Sequence, residues 1–426
     1  MVHFALICPP FFSHIRVFEA LAAELTGRGH RATFVLNAGA DSMVGPGFPA
    51  ATVWSGGGRE AQGDPARAHL DAVIERAARP NGLFGILRTV ADTAALTDEL
   101  CDGGPDVLGA IGAEMIIGDQ MEPASGLLAA HLGLPFVSIA AALPIDPDPA
   151  IPLPFLPWPY DPSEKGLKRN RGGEQVARLL LTRQRQTLRR WSERSGISPR
   201  ETLADCLSPS ATIAQTVPSF DFPRPPEPRF QAVGPIRLQT EVATDLPFAL
   251  DPERPLVFAS LGTLQGHRVD IFRSVAKACR DLGAQCLVAH CGRLDASEAA
   301  SIDADVVTDF APQQAVLRRA AVCVTHAGLN TVMDSLEAGV PLLAIPIAFD
   351  QPGIAARIVH HGVGERLSRR FLTAAKLRAS LERLLARPNY RNRARAIGLD
   401  IRASGGASLA ADIIEKASGD IASARR

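Results

Sequence analysis

Charge imbalance is missing from this 426-residue chain: 45 basic residues cancel 45 acidic ones. A dedicated nucleic-acid binder needs a basic surface, so no nucleic-acid partner is expected. Long apolar runs are missing as well, and none reaches the roughly 18 residues of a membrane-spanning helix. The opening MVHFALICPP has no basic region ahead of its apolar run, so it reads as a strand, not a signal peptide, and a cytoplasmic location is expected. The loop after that strand, PPFFS, holds no G-x-G-x-x-G, so a dinucleotide fingerprint is absent from where it would belong. Neither a Ser/Cys nucleophile constellation nor a paired metal-ligand motif is evident. The seven cysteines are scattered, and Cys286 and Cys291, five apart, fall on opposite faces of a strand. They read as reduced buried thiols and not as a metal set, and no metal is expected.

What is present is an alternation of strands and helices. Apolar residues make up 46% of the chain, enough for a globular protein of two or three cores. HFALIC is a buried strand, residues 14–28 have helical apolar spacing, and RATFVLN returns as a parallel neighbour. Residues 39–63, rich in Gly, Ala and Pro, are expected to be loop. Helices are predicted at 66–79, 82–101 and 122–132, with strands at MIIGD and PFVSIA. Residues 143–160 are rich in proline, which excludes a regular helix or central strand. This stretch is either a loop folded on itself or the wall of an apolar pocket. Basic helical sequence fills 165–195. After a loose junction the alternation restarts at Leu256 and runs to four closing helices, at about 351–362, 373–387, 389–402 and 406–418. The fold class is therefore α/β, with two doubly wound units facing one another.

Chemistry-bearing residues collect at strand ends, where such sheets bind ligands. LVFASLGT ends on Ser260, Gly262 and Thr263. VCVT leads through His326 and Gly328 into a helix carrying Asn330, Thr331 and Asp334. A helix N-terminus after Gly328 presents free N–H groups to an anion, and His326 and Asn330 can donate to a diphosphate. Asp334, one turn beyond Asn330, is either a ribose ligand or a solvated helix residue. Asp350 and Gln351 follow the strand LLAIPI. They could fork onto sugar hydroxyls, or cap a helix that Pro352 begins. In the first half, His14 follows strand one and Asp119 ends MIIGD. A carboxylate that reaches a histidine orients its ring and stabilises the protonated form.

These residues carry a resemblance. The run Phe310-Ala311-Pro312-Gln313, then His326-x-Gly328-x-Asn330-Thr331-x-x-Asp334, Gly339-Val340-Pro341 and Asp350-Gln351 resembles the signature of family 1 GT-B glycosyltransferases that use UDP-sugars. Over essentially the whole chain, through FALICPPFFSH, CLSP, SLGTLQGHR and AARIVHHGVG among others, the likeness extends to the zeaxanthin (carotenoid) glucosyltransferase branch. The resemblance implies two Rossmann-like domains. The first, 1–222, binds the acceptor and is completed by a C-terminal helix at 405–426. The second, 223–404, binds the donor. It implies His14 as general base with Asp119 as its partner, and Phe310 on uracil with Gln313 near it. Thr263, His326, Gly328, Asn330 and Thr331 would then meet the diphosphate, Asp334 the ribose, and Asp350 and Gln351 the glucose. It further implies UDP-glucose as co-substrate with no other cofactor, inverting metal-independent transfer, and a hydroxylated carotenoid such as zeaxanthin as acceptor. Phe11, Phe12, Met121, Phe155 and Trp158 are the residues expected around that acceptor, and such a substrate brings the protein to a membrane surface. Phe310, Leu329 and Asp334 stand where plant members of the family carry Trp, Trp and Glu. The alternatives are another lipophilic acceptor (a sterol, macrolide or flavonoid), or a non-transferring sugar-nucleotide protein such as an epimerase.

Overall fold

The computed structural model describes residues 1–53, 64–79, 82–238 and 246–424. The first half runs β1 (His3–Ile7), α1 (Phe12–Gly27), β2 (Arg31–Asn37), β3 (Ala50–Val53), α2 (Asp64–Ala78) and α3 (Gly82–Ile111). It continues through β4 (Met115–Asp119), α4 (Ala124–Leu132), β5 (Phe136–Ala140), α5 (Glu164–Leu180), α6 (Thr182–Arg194), β6 (Thr212–Ala214) and β7 (Phe230–Ala232). The second half runs β8 (Leu256–Ser260), α7 (Gly262–Gln265), α8 (Val269–Arg280), β9 (Gln285–Ala289), α9 (Ala296–Ala300) and β10 (Val306–Thr308). After these come α10 (Gln313–Arg319), β11 (Ala320–Thr325), α11 (Leu329–Glu337), β12 (Leu342–Ala344), α12 (Gln351–His360) and β13 (Gly364–Arg366). Three helices follow: α13 (Ala374–Ala386), α14 (Pro388–Ala403) and α15 (Gly406–Ala424).

The strands form two sheets of parallel neighbours, ordered β3-β2-β1-β4-β5-β6-β7 and β10-β9-β8-β11-β12-β13. Alternation within one strand feeds two cores. In β1, Phe4 and Leu6 join the core that holds α1, while Ala5 and Ile7 join the one that holds α3 and α4. In β8, Leu256 and Phe258 face one core and Val257 and Ala259 the other. Helices on both faces explain why these strands read as continuous apolar runs and not as alternating ones. β7 lies beyond residue 222 and pairs with β6, so the first sheet continues past that point. The last helix returns to the first half: Ala410, Ala411 and Ile414 of α15 are buried with α1, and Arg28 reaches Asp412 and Glu415 at 2.5 and 2.9 Å.

Two local expectations are corrected, and one strand was not foreseen. Residues 39–63 are not all loop, because Ala50–Val53 pairs with β2 as an edge strand. Four residues set among Gly and Pro give too short a pattern to be seen. Residues 54–63 lie outside the described part. The helix expected to end at 101 continues through Pro105 to Ile111. Packing of Gly104 against Leu128, and burial of Leu108, outweigh the backbone bond that the proline removes. β13 was hidden because Gly364 approaches the Leu342 carbonyl so closely that a Cβ would stand 2.0 Å from it. No side chain is left there to give a pattern.

Polar contacts join the two halves. Arg357 donates to Asp221 at 2.7 Å, and Arg224 donates to the other oxygen of the same carboxylate at 2.6 Å. The Gly353 N–H donates to the Pro154 carbonyl at 2.9 Å, and Arg366 donates to that of Pro157 at 2.9 Å. The proline-rich stretch is thus a bridge onto α12 and β13.

Candidate active site

Each sheet reverses its strand order once, and the candidate residues gather at those two places. In the first sheet the reversal lies between β1 and β4, paired through Ile7 and Gly118. β1 leads into α1, whose first turn carries His14, and β4 ends on Asp119. The ends of neighbouring strands bring together two residues that are 105 apart in the chain. His14 Nδ1–H donates to Asp119 Oδ2 at 2.7 Å, and the backbone N–H of Met121 donates to Asp119 Oδ1 at 2.8 Å. With Nδ1 engaged, the free lone pair of the neutral ring is on Nε2. Burial alone would lower the His14 pKa, but the charges of Asp119 and Asp350 and the Asp119 hydrogen bond outweigh it, so the net shift is upward.

In the second sheet the reversal lies between β8 and β11, paired through Ser260 and Thr325. β8 leads into Gly262 and Thr263, and β11 leads through His326 to α11. The His326 ring is held between two glycines. A Cβ on Gly262 would stand 2.7 Å from its Cε1, and one on Gly328 would stand 2.6 Å from its Nε2. Gly262 also has φ +70, a region that L side chains rarely adopt. Burial pulls the His326 pKa down to about 4, so the ring is neutral near pH 7. Its Nδ1 is buried without a hydrogen-bond partner among the described residues. A buried polar atom left unpaired at a helix N-terminus suits a ligand that brings the partner.

The polar residues around α11 form one network. Gln313 donates to Asp334 Oδ2 at 2.7 Å, and the Thr331 hydroxyl donates to Gln313 Oε1 at 3.4 Å. Arg237 donates to Asp334 Oδ1 and, at 2.5 Å, to Glu337. Burial pushes the Asp334 carboxyl up while Arg237 opposes it, and the net shift is upward. Phe310 stands apart on its loop, 66% exposed, with its ring near Gly292.

Two donor-side residues touch the first half. Asn330 accepts a hydrogen bond from Gln215 at 2.9 Å, and Asp350 accepts one from the Leu143 N–H at 3.0 Å. Asp350 is also near enough to His14 for each to shift the other's pKa. Gln351 spends its side-chain oxygen on the Ile347 and Ala348 N–H groups, both at 2.8 Å, which leaves its amide nitrogen for a ligand.

The residues expected around the acceptor divide. Phe11 packs near both His14 and Phe349, with ring centroids 6.2 Å apart in each case. Met121, bound through its N–H to Asp119, is exposed beside the pair. Phe12 is exposed under the Arg16 guanidinium, 4.5 Å from its ring centre. Trp158 lies on α5 against Gly173, with Arg169 5.2 Å from its ring, and so belongs to the packing of that helix. Phe155 is exposed on the proline-rich bridge.

Sequence reasoning missed Gln215, Arg237 and Glu122. The first two sit in irregular sequence, where no spacing marks them. Glu122 is buried three residues after Asp119, accepts from the Thr97 hydroxyl at 2.8 Å, and is pushed by burial to about 7.

Comparison with known proteins shows the family and the fold. A sequence model of the family described as UDP-glucoronosyl and UDP-glucosyl transferase matches residues 5–398. Zeaxanthin glucosyltransferase of Pantoea ananas is 41% identical over 424 residues, covering 98% of this chain and 96% of that protein. Its counterpart in Pseudescherichia vulneris is 38% identical, covering 98% of each. Among solved structures, a glycosyltransferase of kitacinnamycin covers 98% of this chain and 99% of its own, with TM-score 0.75 at 20% identity. A calicheamicin glycosyltransferase covers 99% of both chains with TM-score 0.72 at 23% identity. These two are similar in fold.

Proposed function

The chain belongs to the UDP-glucoronosyl and UDP-glucosyl transferase family and is a UDP-glycosyltransferase of the GT-B fold, and from that premise we propose that it transfers glucose from UDP-glucose to the hydroxyl groups of zeaxanthin or a closely similar carotenoid. The observation that carries this reading is the His14–Asp119 pair standing across from Asp350, with the second sheet's anion-ready turn behind it. The two zeaxanthin glucosyltransferase relatives support the acceptor.

Units of different duty follow: residues up to β7, with α15, take the acceptor, and residues from β8 to α14 take the donor. Phe310 offers a ring face to the uracil. Gln313, Thr331 and Asp334 meet the ribose, which must share Asp334 with Arg237. The α11 N-terminus, Thr263, Asn330 and the His326 ring hold the diphosphate. His326 acts there as a neutral hydrogen-bond donor. Asp350 and Gln351 contact the sugar. His14 Nε2 takes the acceptor hydroxyl proton while Asp119 stabilises the imidazolium that forms. The deprotonated oxygen attacks the anomeric carbon from the face opposite UDP, so one displacement inverts that centre. The charge that develops on UDP is met by fixed N–H groups of α11, and no metal is invoked.

Among the described residues no helix is long and apolar enough to cross a membrane. A carotenoid acceptor resides in a bilayer, so contact with a membrane surface is part of the proposal. The test is UDP release from UDP-glucose with detergent-dispersed zeaxanthin, compared with sterol, macrolide and flavonoid acceptors. Zeaxanthin-dependent release is expected. Release only with another acceptor, or none with any, contradicts the assignment.

A further inference from the structure

The first turns of α3 expose what a soluble surface normally hides. Leu83, Phe84, Ile86 and Leu87 are all exposed, Phe84 to 86%, whereas Val90 and Ala94 further along are buried. A helix of 30 residues spans about 45 Å, and the five-residue strand β4 spans about 17 Å. α3 ends at Ile111, close to where β4 begins, so its first turns overhang the carboxyl edge of the sheet, the edge that carries His14 and Asp119. This end also adjoins the cleft. At the end of α2, the Ala78 carbonyl lies 3.5 Å from Arg268, and Glu75 pairs with Arg293 at 2.5 Å, both in the second half.

A second helix brings more of the same. Asp98 of α3 meets Thr187 and Trp191 of α6, and Asp102 meets Arg194, so α3 and α6 run parallel. The start of α6, and α5 which joins it at Leu181 and touches α3, therefore lie toward the overhanging end. α5 exposes Val176 and Leu179 there, the latter to 73%. The charge pattern changes along the same line. Far from the tip, Arg190 and Arg194 are paired with Asp98 and Asp102. Toward the tip, Arg88, Arg171, Arg178 and Arg183 have no partner among the described residues. Residues 165–185 hold seven basic residues against Glu174 alone. An exposed apolar tip on α3, beside a basic α5 that exposes apolar residues of its own, in a chain of zero net charge, is complementary to a surface with an apolar interior and anionic head groups.

We propose that the α3 tip and the end of α5 insert into the head-group region of an anionic lipid bilayer, holding the cleft over the membrane. The purpose of this contact rests on the lipophilic acceptor proposed above, while the observation stands apart from it.

The test uses the full chain and flotation with phosphatidylglycerol–phosphatidylcholine vesicles at low salt, beside pure phosphatidylcholine. The unchanged protein is expected to float with the anionic vesicles and to be released by salt. The double substitution Phe84→Glu with Leu87→Glu, and separately Arg178→Glu with Arg183→Glu, should each lower binding roughly tenfold or more. All four side chains are exposed, so circular dichroism should be unchanged. Turnover of a detergent-dispersed acceptor should stay within about twofold of the unchanged protein, and turnover of vesicle-embedded acceptor should fall roughly tenfold. Absence of flotation by the unchanged protein overturns the proposal, as does flotation indifferent to both substitution pairs. So does light scattering showing that the first pair only dissociates a dimer. Tip-dependent flotation without turnover of dispersed zeaxanthin would remove the proposed acceptor and leave the docking surface standing.

Discussion

The two strand-order reversals of this protein are built on the same plan and equipped for opposite tasks. At the first, between β1 and β4, the Asp119 charge and hydrogen bond outweigh burial and raise His14 above its ordinary pKa, and burial pushes Glu122 to about 7. At the second, between β8 and β11, the turn beside the strands is neutral: a His326 that stays uncharged, Asn330, Thr331 and two glycines that make room for a ring. One place can move a proton and the other can cradle an anion. The difference shows that the topology chooses where a site lies, while local burial and pairing choose what it does.

Substitutions at each place can break or sharpen that contrast. Asp119→Asn should have the largest effect, lowering transfer about 10²-fold or more by loosening the base, with donor affinity unchanged. In the proposed mechanism His14 can take a proton only when its ring is neutral. The unchanged enzyme should therefore gain kcat/KM through a midpoint above 6.5, and the variant's midpoint should move down as burial is less opposed. A donor dissociation constant that rises with the loss of transfer would place Asp119 in donor binding and undo the contrast.

Next in size is Glu122→Gln. The folded carboxyl keeps its proton to about 7 against an ordinary value of 4.5, so the folded state binds more protons in that window. Stability contributed by the neutral acid is present below pH 4.5 and is lost as pH rises through 7, amounting to roughly 3 kcal/mol. Urea unfolding should find the variant equal to the parent near pH 4 and more stable by about that amount near pH 8. Equal stability at both pH values would show that Glu122 is not held neutral.

Asp334→Ala should weaken UDP-glucose binding by about tenfold, since in the proposed site it removes an acceptor for the ribose diol and leaves Arg237 to Glu337 alone. Isothermal titration calorimetry checks this, and transfer at saturating donor should change little. Gln215→Ala is expected to be the mildest. It deletes one neutral bond to Asn330, worth about 1 kcal/mol, and should raise the donor dissociation constant roughly fivefold.

These unequal sites were also unequally legible. Most of the second could be read from residue types at fixed spacing because Phe310 to Gln351 is one continuous stretch; only the turn at Gly262 and Thr263 comes from elsewhere in the chain. His14 and Asp119 could be suspected only as strand-end residues, since pairing them requires knowing that β1 and β4 are neighbours. Gln215 and Arg237 left no trace, because they act from irregular segments that only tertiary packing brings to Asn330 and Asp334. For Trp158, an aromatic among prolines, the sequence left pocket wall and self-folded loop open, and only tertiary packing shows its ring against α5, where Gly173 makes room for it. β3 and β13 were hidden by shortness and by a glycine at the point of closest approach.

The central claim is a division of labour, with proton removal at one reversal and donor recognition at the other. The direct measurement is UDP-glucose affinity and zeaxanthin-dependent UDP release on the same preparation of His14→Ala. The account predicts release reduced about 10²-fold or more with the donor dissociation constant unchanged. A variant that transfers normally, or one whose donor affinity falls in step with its activity, would contradict it.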